Sequence, residues 1–261
     1  ERRRKLWDDN SRDKTKAGNR LVIIGYDGDK RYKNVTSYIP GEIIKEVNGK
    51  SMSLLEFFVH SPFKDSLVEG RAEADKNATS IVMQARFKYT STATQPSALY
   101  LFGGDADHYI WKEIQEQCTA HDNDDKLNFD IFMAPHHCSW TYFNNVPYMN
   151  GETDKPVESS KTMIKDHKTN GAVIIASSKQ IKKDKDNPPH HQSKEEYVKL
   201  IGADKFISLA EEPDSKKPKP VVYEVTSSGF LRKDKNQQKG STGAAIGSSS
   251  TSGRKSAYGC K

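Results

Sequence analysis

The sequence predicts a layered α/β domain, and three observations predict it. Short apolar runs follow one another in the first part of the chain, later runs alternate with stretches of helical spacing, and each run is bounded by turn residues. Strands that alternate with helices bury both by packing the helices on a sheet, which is the α/β or layered α+β arrangement. With 261 residues the chain is long enough for one large domain or two small ones, and one domain plus tails is expected. Only 34% of residues are hydrophobic and 29% are charged, so the interior must be concentrated in a few segments.

Residues 1–19 are charged, with Leu6 and Trp7 as the large apolar anchors, and read as an arm or as the end of a helix that begins upstream. The ordered domain is expected over 20–233. "RLVIIGY" (20–26) and "SLLEFFVHSPF" (53–63) are rich in branched and aromatic residues and read as strands. "TSIVMQARFKY" (79–89) alternates, with Ile81, Met83, Ala85 and Phe87 on one face, which predicts a half-buried strand. "ALYLFGG" (98–104) is a continuous apolar strand closed by two glycines. "DADHYIWKEIQEQC" (105–118) then sets Tyr109, Ile110, Ile114 and Cys118 at helical spacing.

"FDIFMAP" (129–135) and "GAVIIASS" (171–178) are two more buried strands, each reached after a polar or helical segment. "QSKEEYVKLIGA" (192–203) predicts a helix with Ser193 as N-cap, Glu196 at the capping-box position and Gly202 near its end. "KFISLAE" (205–211) and "PVVYEVTSSGFLRK" (220–233) return to strand patterning. Residues 234–261 are Gly- and Ser-rich and hold too little apolar surface to order themselves, so a disordered tail is expected.

Three cysteines, Cys118, Cys138 and Cys260, are too few and too scattered for a disulfide framework and fit a reducing compartment. No apolar stretch approaches the roughly 20 residues that cross a bilayer, and no basic-then-apolar leader occurs. The expectation is a soluble cytoplasmic protein without a membrane partner. A formal charge of +6 suits a polyanion such as nucleic acid, although lysine runs at 179–187 and 216–220 lie among acids and read as solvated loops. The chain begins "ERRRKLW" without an initiating Met, and is expected to start inside a longer product.

The chemistry is expected at strand ends. A strand is fixed by packing, whereas the turn beyond it is open to solvent and can present side chains to a cleft. Asp105 sits at such an end, after Gly103 and Gly104, which let backbone or ligand approach closely. Taken alone, Asp105 reads as the N-cap of the helix that follows. His136 and His137 follow Pro135 at the end of another buried strand. An imidazole there binds zinc, manganese or iron through one nitrogen when a second group holds the other. Cys138, next to the pair, reads as a small packed thiol rather than a ligand.

Taken in order, "NATSIVMQARF", "LYLFGGDAD", "FDIFMAPHHCSW", "GAVIIASS" and "NPPHHQSKEEYVKLI" resemble the second half of the metallo-β-lactamase fold, an αββα sandwich, in its ComEC-like branch. The resemblance covers about residues 53–230. It implies a metal-dependent hydrolase acting on phosphodiester bonds, nuclease-like, with zinc as the metal and two ions accommodated; manganese and iron suit the same donors. Carried over by position, Asp105, His136 and His137 are the catalytic and metal-binding residues, with the ligand of the 136/137 pair left open, and His190 is a loosely matched further ligand.

Asn77, Ser80 and Ser139 match flanking motif positions, and Asp107 and His108 stand where they could support the site or touch substrate. The sequence departs from the pattern at Cys138, where the family has Gly, and at "NPPHH" (187–191), where it has Gly-His-Pro-His. The family's His-x-His-x-Asp-His motif is absent from the 261 residues. An upstream segment or partner chain is therefore expected to supply the remaining ligands. The alternative is a catalytically silent scaffold or sensor of the same fold in a multi-protein assembly, for instance in bacterial defence.

Overall fold

The computed structural model describes residues 22–25, 36–47, 49–64, 76–145 and 155–233. The expected arm (1–19), the tail (234–261) and Cys260 lie outside them. In chain order the strands are β1 (Val22–Ile24), β2 (Thr36–Tyr38), β3 (Ile43–Ile44), β4 (Glu46–Val47), β5 (Lys50–Ser51), β6 (Leu55–Ser61), β7 (Val82–Phe87), β8 (Ala98–Phe102), β9 (Phe129–Met133), β10 (Lys168–Ala176), β11 (Phe206–Ser208), β12 (Tyr223–Thr226) and β13 (Gly229–Arg232). The helices are α1 (His108–Ala120), α2 (Glu158–His167) and α3 (His191–Ile201).

A seven-stranded mixed sheet runs β11-β10-β9-β8-β7-β6-β3. Strands β8 to β11 are parallel neighbours, whereas β7, β6 and β3 are added antiparallel. This polarity has a functional consequence. The C-terminal ends of β8, β9 and β10 and the N-terminal end of β7 share one edge of the sheet, because Met83 pairs with Phe102 and Phe102 with Met133.

The two faces of the sheet are unequal. Leu101, Phe132 and Ile174 are cross-strand partners on one face and are fully buried. They join one core with Ile110, Trp111 and Ile114 of α1, Met163 and Ile164 of α2, and Tyr197 of α3. Fully burying a large side chain stabilises by roughly 1.5–3 kcal/mol, so this helix-side core holds most of the stability. On the opposite face a smaller cluster gathers Ile131, Ile175 and Ile207, partly covered by Tyr223 and Phe230 of the β12–β13 hairpin. The described residues thus form a mixed α/β structure with its helices on one face of the sheet.

Several expectations are corrected. The apolar run of 79–89 becomes a strand only from Val82, and Ile81 is exposed outside it. Both faces of β7 are buried, because its polar side is satisfied internally. The Arg86 guanidinium donates to Glu56 at 3.1 Å and to Gln84 Oε1 at 2.7 Å, and Gln84 Nε2 donates to the Asn128 carbonyl at 2.7 Å. Buried polar groups persist when they are paired in this way.

Helix α1 begins at His108 rather than at residue 105, since Asp107 is its cap: Oδ1 accepts the backbone N–H groups of Tyr109 (3.0 Å) and Ile110 (3.1 Å). Helix α3 begins at His191, one turn's width ahead of the expected Ser193 cap. Ser193 is buried inside it and donates to the Ser139 carbonyl at 3.0 Å. The strands before residue 53 other than β1, and helix α2, were not predicted: they are short, or show apolar spacing only at Met163 and Ile164. No helix among the described residues is long and apolar enough to cross a membrane.

Candidate functional site

The shared sheet edge is built by close backbone approach. A Cβ on Gly103 would stand 2.6 Å from Pro135 Cγ and 2.7 Å from the Met133 carbonyl oxygen. Gly104 has φ +54°, and a Cβ there would meet the Ile81 carbonyl oxygen at 2.7 Å and Ser80 Cβ at 3.3 Å. Only glycine allows these approaches without a shift of the neighbouring chain. Between them the two residues dock the end of β8 onto the start of β7 and the end of β9. The Gly104 carbonyl then accepts the His136 N–H at 2.9 Å, so Asp105 and His136 leave adjacent backbone positions.

The turn after β9 is backbone-strained. His136 (φ 47°), His137 (φ 55°) and Cys138 (φ 69°) are three consecutive left-handed residues, each carrying a Cβ. Such a conformation disfavours an L-residue by roughly 1–2 kcal/mol. It is held by Cys138 N–H to the Pro135 carbonyl (3.1 Å), Ser139 N–H to the His136 carbonyl (3.0 Å) and His190 N–H to the Cys138 carbonyl (2.9 Å). Strain of this kind is tolerated where surrounding structure over-determines it, and it clusters at functional sites.

His136 is half-buried and His137 is exposed. His137 Nδ1 lies 2.6 Å from the Ser177 carbonyl oxygen at the end of β10. His136 Nδ1 lies 3.4 Å from Thr141 Oγ1. An open cleft of about 390 Å³ adjoins His137, lined also by Ser177, Ser178, Lys179, Pro188 and Pro189. Lys179 is held over this cleft's rim by Asp186 at 2.6 Å.

The remaining predicted residues fall into two groups. Ser80 touches the Gly104 turn, Asn77 accepts the Ser80 N–H on its carbonyl at 3.0 Å, and Ser139 is buried beneath the histidine turn. The others are committed to structure. Asp107, expected to support the site or touch substrate, caps α1 and accepts Asn145 Nδ2 at 2.8 Å. His108 is buried in the first turn of α1 against Tyr109, ring centroids 3.9 Å apart, and burial holds its pKa below the usual value. His190 is buried at the head of α3 with its ring 5.9 Å from Trp140, and burial followed by the neighbouring His191 lowers its pKa. Asp105 neither caps α1 nor makes a side-chain hydrogen bond among the described residues.

Cys138 is fully buried, and burial pushes its thiol up to about 12. Among the described residues no group of three or more His, Cys, Asp or Glu converges where an ion could sit. A catalytic zinc needs about three protein ligands and an open position. The described residues alone therefore do not make up a metal centre; Asp105 and His136 leave adjacent backbone positions at one edge of the sheet.

A larger cavity of about 710 Å³ lies elsewhere, between Pro40–Glu42, β6 and α1, and it reaches His60 and Cys118. Its size does not make it the site, because these two side chains are spent on each other and on the backbone. Cys118 Sγ lies 3.6 Å from His60 Nδ1, and His60 Nε2 lies 3.1 Å from the Lys126 carbonyl oxygen. Searches of known protein families, characterised proteins and solved structures find nothing that matches this chain.

Proposed function

We propose that the chain carries part of the active site of a metal-dependent hydrolase of the metallo-β-lactamase type, acting on phosphodiester bonds, with the remaining ligands supplied from outside the described residues. The observation that supports this reading best is the left-handed 136–138 turn, docked on the Gly-Asp turn with both imidazoles engaged through Nδ1. Zinc is the metal the donors suit, as Asp105 offers a carboxylate and His136 or His137 an imidazole Nε2. The chemistry such a centre supplies is activation of water for hydrolysis. Nucleic acid is the partner in keeping with the charge of +6.

One observation favours the competing reading of a silent scaffold or sensor. His190, which the motif match makes a ligand, is buried as a helix cap against Trp140. The two readings part on Asp105. Elemental analysis and hydrolysis of bis(p-nitrophenyl) phosphate are measured for the protein and for Asp105→Asn. A hydrolase retains a transition metal and loses at least tenfold in rate in the variant. A metal-free protein whose cellular function survives Asp105→Ala is the silent module.

A further inference from the structure

The lysine run that reads in the sequence as a solvated loop among acids has a fixed place in the fold. Between the end of β10 and the start of α3, residues 177–189 carry Lys179, Lys182, Lys183 and Lys185 against Asp184 and Asp186. The loop is pinned at both ends and in its middle. Ile181 is buried in the helix-side core, and the Ser177 carbonyl oxygen sits against His137 Nδ1. Asn187 Oδ1 accepts the Ser139 hydroxyl at 2.8 Å and the Trp140 N–H at 3.1 Å. A surface held in this way loses little freedom when a partner binds it.

The two acids of the loop are turned onto the loop itself. Asp186 is paired with Lys179 at 2.6 Å, and Asp184 Oδ1 accepts the Asp186 N–H at 3.0 Å. Lys182, Lys183 and Lys185 are exposed, and none of them makes an ion pair among the described residues. Helix lysines differ: Lys112, Lys161, Lys165 and Lys199 each face a glutamate of their own helix. The unpaired charge also lies beside the candidate site. Ser177, Ser178, Lys179, Pro188 and Pro189 wall the cleft of about 390 Å³ that exposed His137 adjoins. Several unpaired ammonium groups on one pinned loop suit a polyanion with closely spaced charges, and a phosphate backbone releases condensed counterions when it meets them.

We propose that the loop from Lys179 to Asp186 is the surface on which a nucleic-acid backbone docks, with Lys182, Lys183 and Lys185 against its phosphates and the strand passing the cleft beside His137. The choice of nucleic acid rests on the hydrolase reading; the contact itself needs no metal ion.

The test measures binding of the full chain, in chelator, to a fluorescein-labelled DNA duplex of about 20 base pairs by anisotropy, from about 50 to about 200 mM salt. Replacing Lys182, Lys183 and Lys185 together by Gln should weaken binding at least about tenfold and flatten the slope of log affinity against log salt by about 2 to 3. Replacing the same three by Arg keeps the charges and should restore both. Lys216, Lys217 and Lys219, exposed in the loop before β12, carry the same charge, and their replacement by Gln should change affinity less than about threefold. Equal losses from the two lysine runs would reduce the effect to net charge and overturn the proposal. So would an unchanged slope in the 182/183/185 variant, or a native protein that binds phosphatidylserine vesicles and not the duplex. The hydrolase reading is separated by bis(p-nitrophenyl) phosphate. A protein that binds DNA through this loop and hydrolyses nothing upholds the surface and overturns the hydrolase; one that hydrolyses the diester while its DNA affinity ignores the loop does the reverse.

Discussion

Two places among the described residues set a histidine beside a cysteine, and they are opposites. His60 and Cys118 face each other between β6 and α1, on regular backbone and almost wholly buried. Burial first, offset by the bond to the Lys126 carbonyl and aided by the charges of Lys126, Arg86 and His167, lowers the His60 pKa to about 3. Burial likewise pushes the Cys118 thiol up to about 12, with Asp124 and Asp125 adding to it. His60 Nε2 donates to a carbonyl, so its Nδ1 is the acceptor for the thiol. At the end of β9 the two rings instead use Nδ1, His137 toward the Ser177 carbonyl oxygen and His136 toward Thr141 Oγ1, on left-handed backbone. The comparison teaches that residue type alone does not set how a histidine is presented. Backbone conformation and the partner of each ring nitrogen do.

The comparison breaks most visibly at the glycine that docks the second region. Gly103→Ala puts a methyl against Met133 backbone and Pro135, and should destabilise by about 3 kcal/mol in chemical denaturation. A loss under about 1 kcal/mol would show that the β8–β9 junction is looser than described.

Acid should act on the first region. His60 is held neutral in the folded protein down to about pH 3, whereas in the unfolded chain it takes up a proton near pH 6.5. The unfolded state therefore binds more protons between these values. Stability is fully present above pH 6.5 and falls as pH drops through this window, by about 2 kcal/mol at pH 5 from this residue. Buried His108 and half-buried His167 act with the same sign. Comparing denaturation at pH 7 and pH 5, His60→Gln should lose about 2 kcal/mol less than the native protein. Equal losses would place the acid sensitivity elsewhere.

Both described thiols should be inert. With each pushed up to about 12, the thiolate fraction at pH 8 is on the order of 10⁻⁴. Mass-spectrometric mapping after alkylation should find Cys118 and Cys138 unlabelled until the protein unfolds; rapid native labelling of either would show that its burial is less complete than described. The smallest effect is expected at Cys138→Gly. Relief of a left-handed residue and loss of a buried thiol oppose each other, each about 1 kcal/mol, so the net change in stability should stay within about 1 kcal/mol.

Much of the sheet was legible in the sequence because strands buried on both faces read as continuous apolar runs, as at 98–102 and 129–133. The polar side of β7 was not. Gln84 and Arg86 look solvent-facing until Glu56 and the Asn128 carbonyl are brought to them by the fold. Helix starts were misplaced for a related reason. Asp105 and Ser193 both have capping chemistry, and which of several candidates caps is decided by where the preceding strand or loop ends. At the candidate site, Asp105, His136 and His137 were visible as motif residues at strand ends. Thr141, Asn187 and the Ser177 carbonyl were invisible, since their relevance comes from contacts between segments far apart in the chain.

The most direct test of the central claim is a zinc titration of the chelator-treated protein, followed through imidazole ¹⁵N shifts of all histidines. The account predicts that Nε2 of His136 or His137 moves, that the movement is lost in Asp105→Asn, and that His60 stays still. Zinc that leaves both of these histidines unmoved, or that moves them equally in Asp105→Asn, would contradict it.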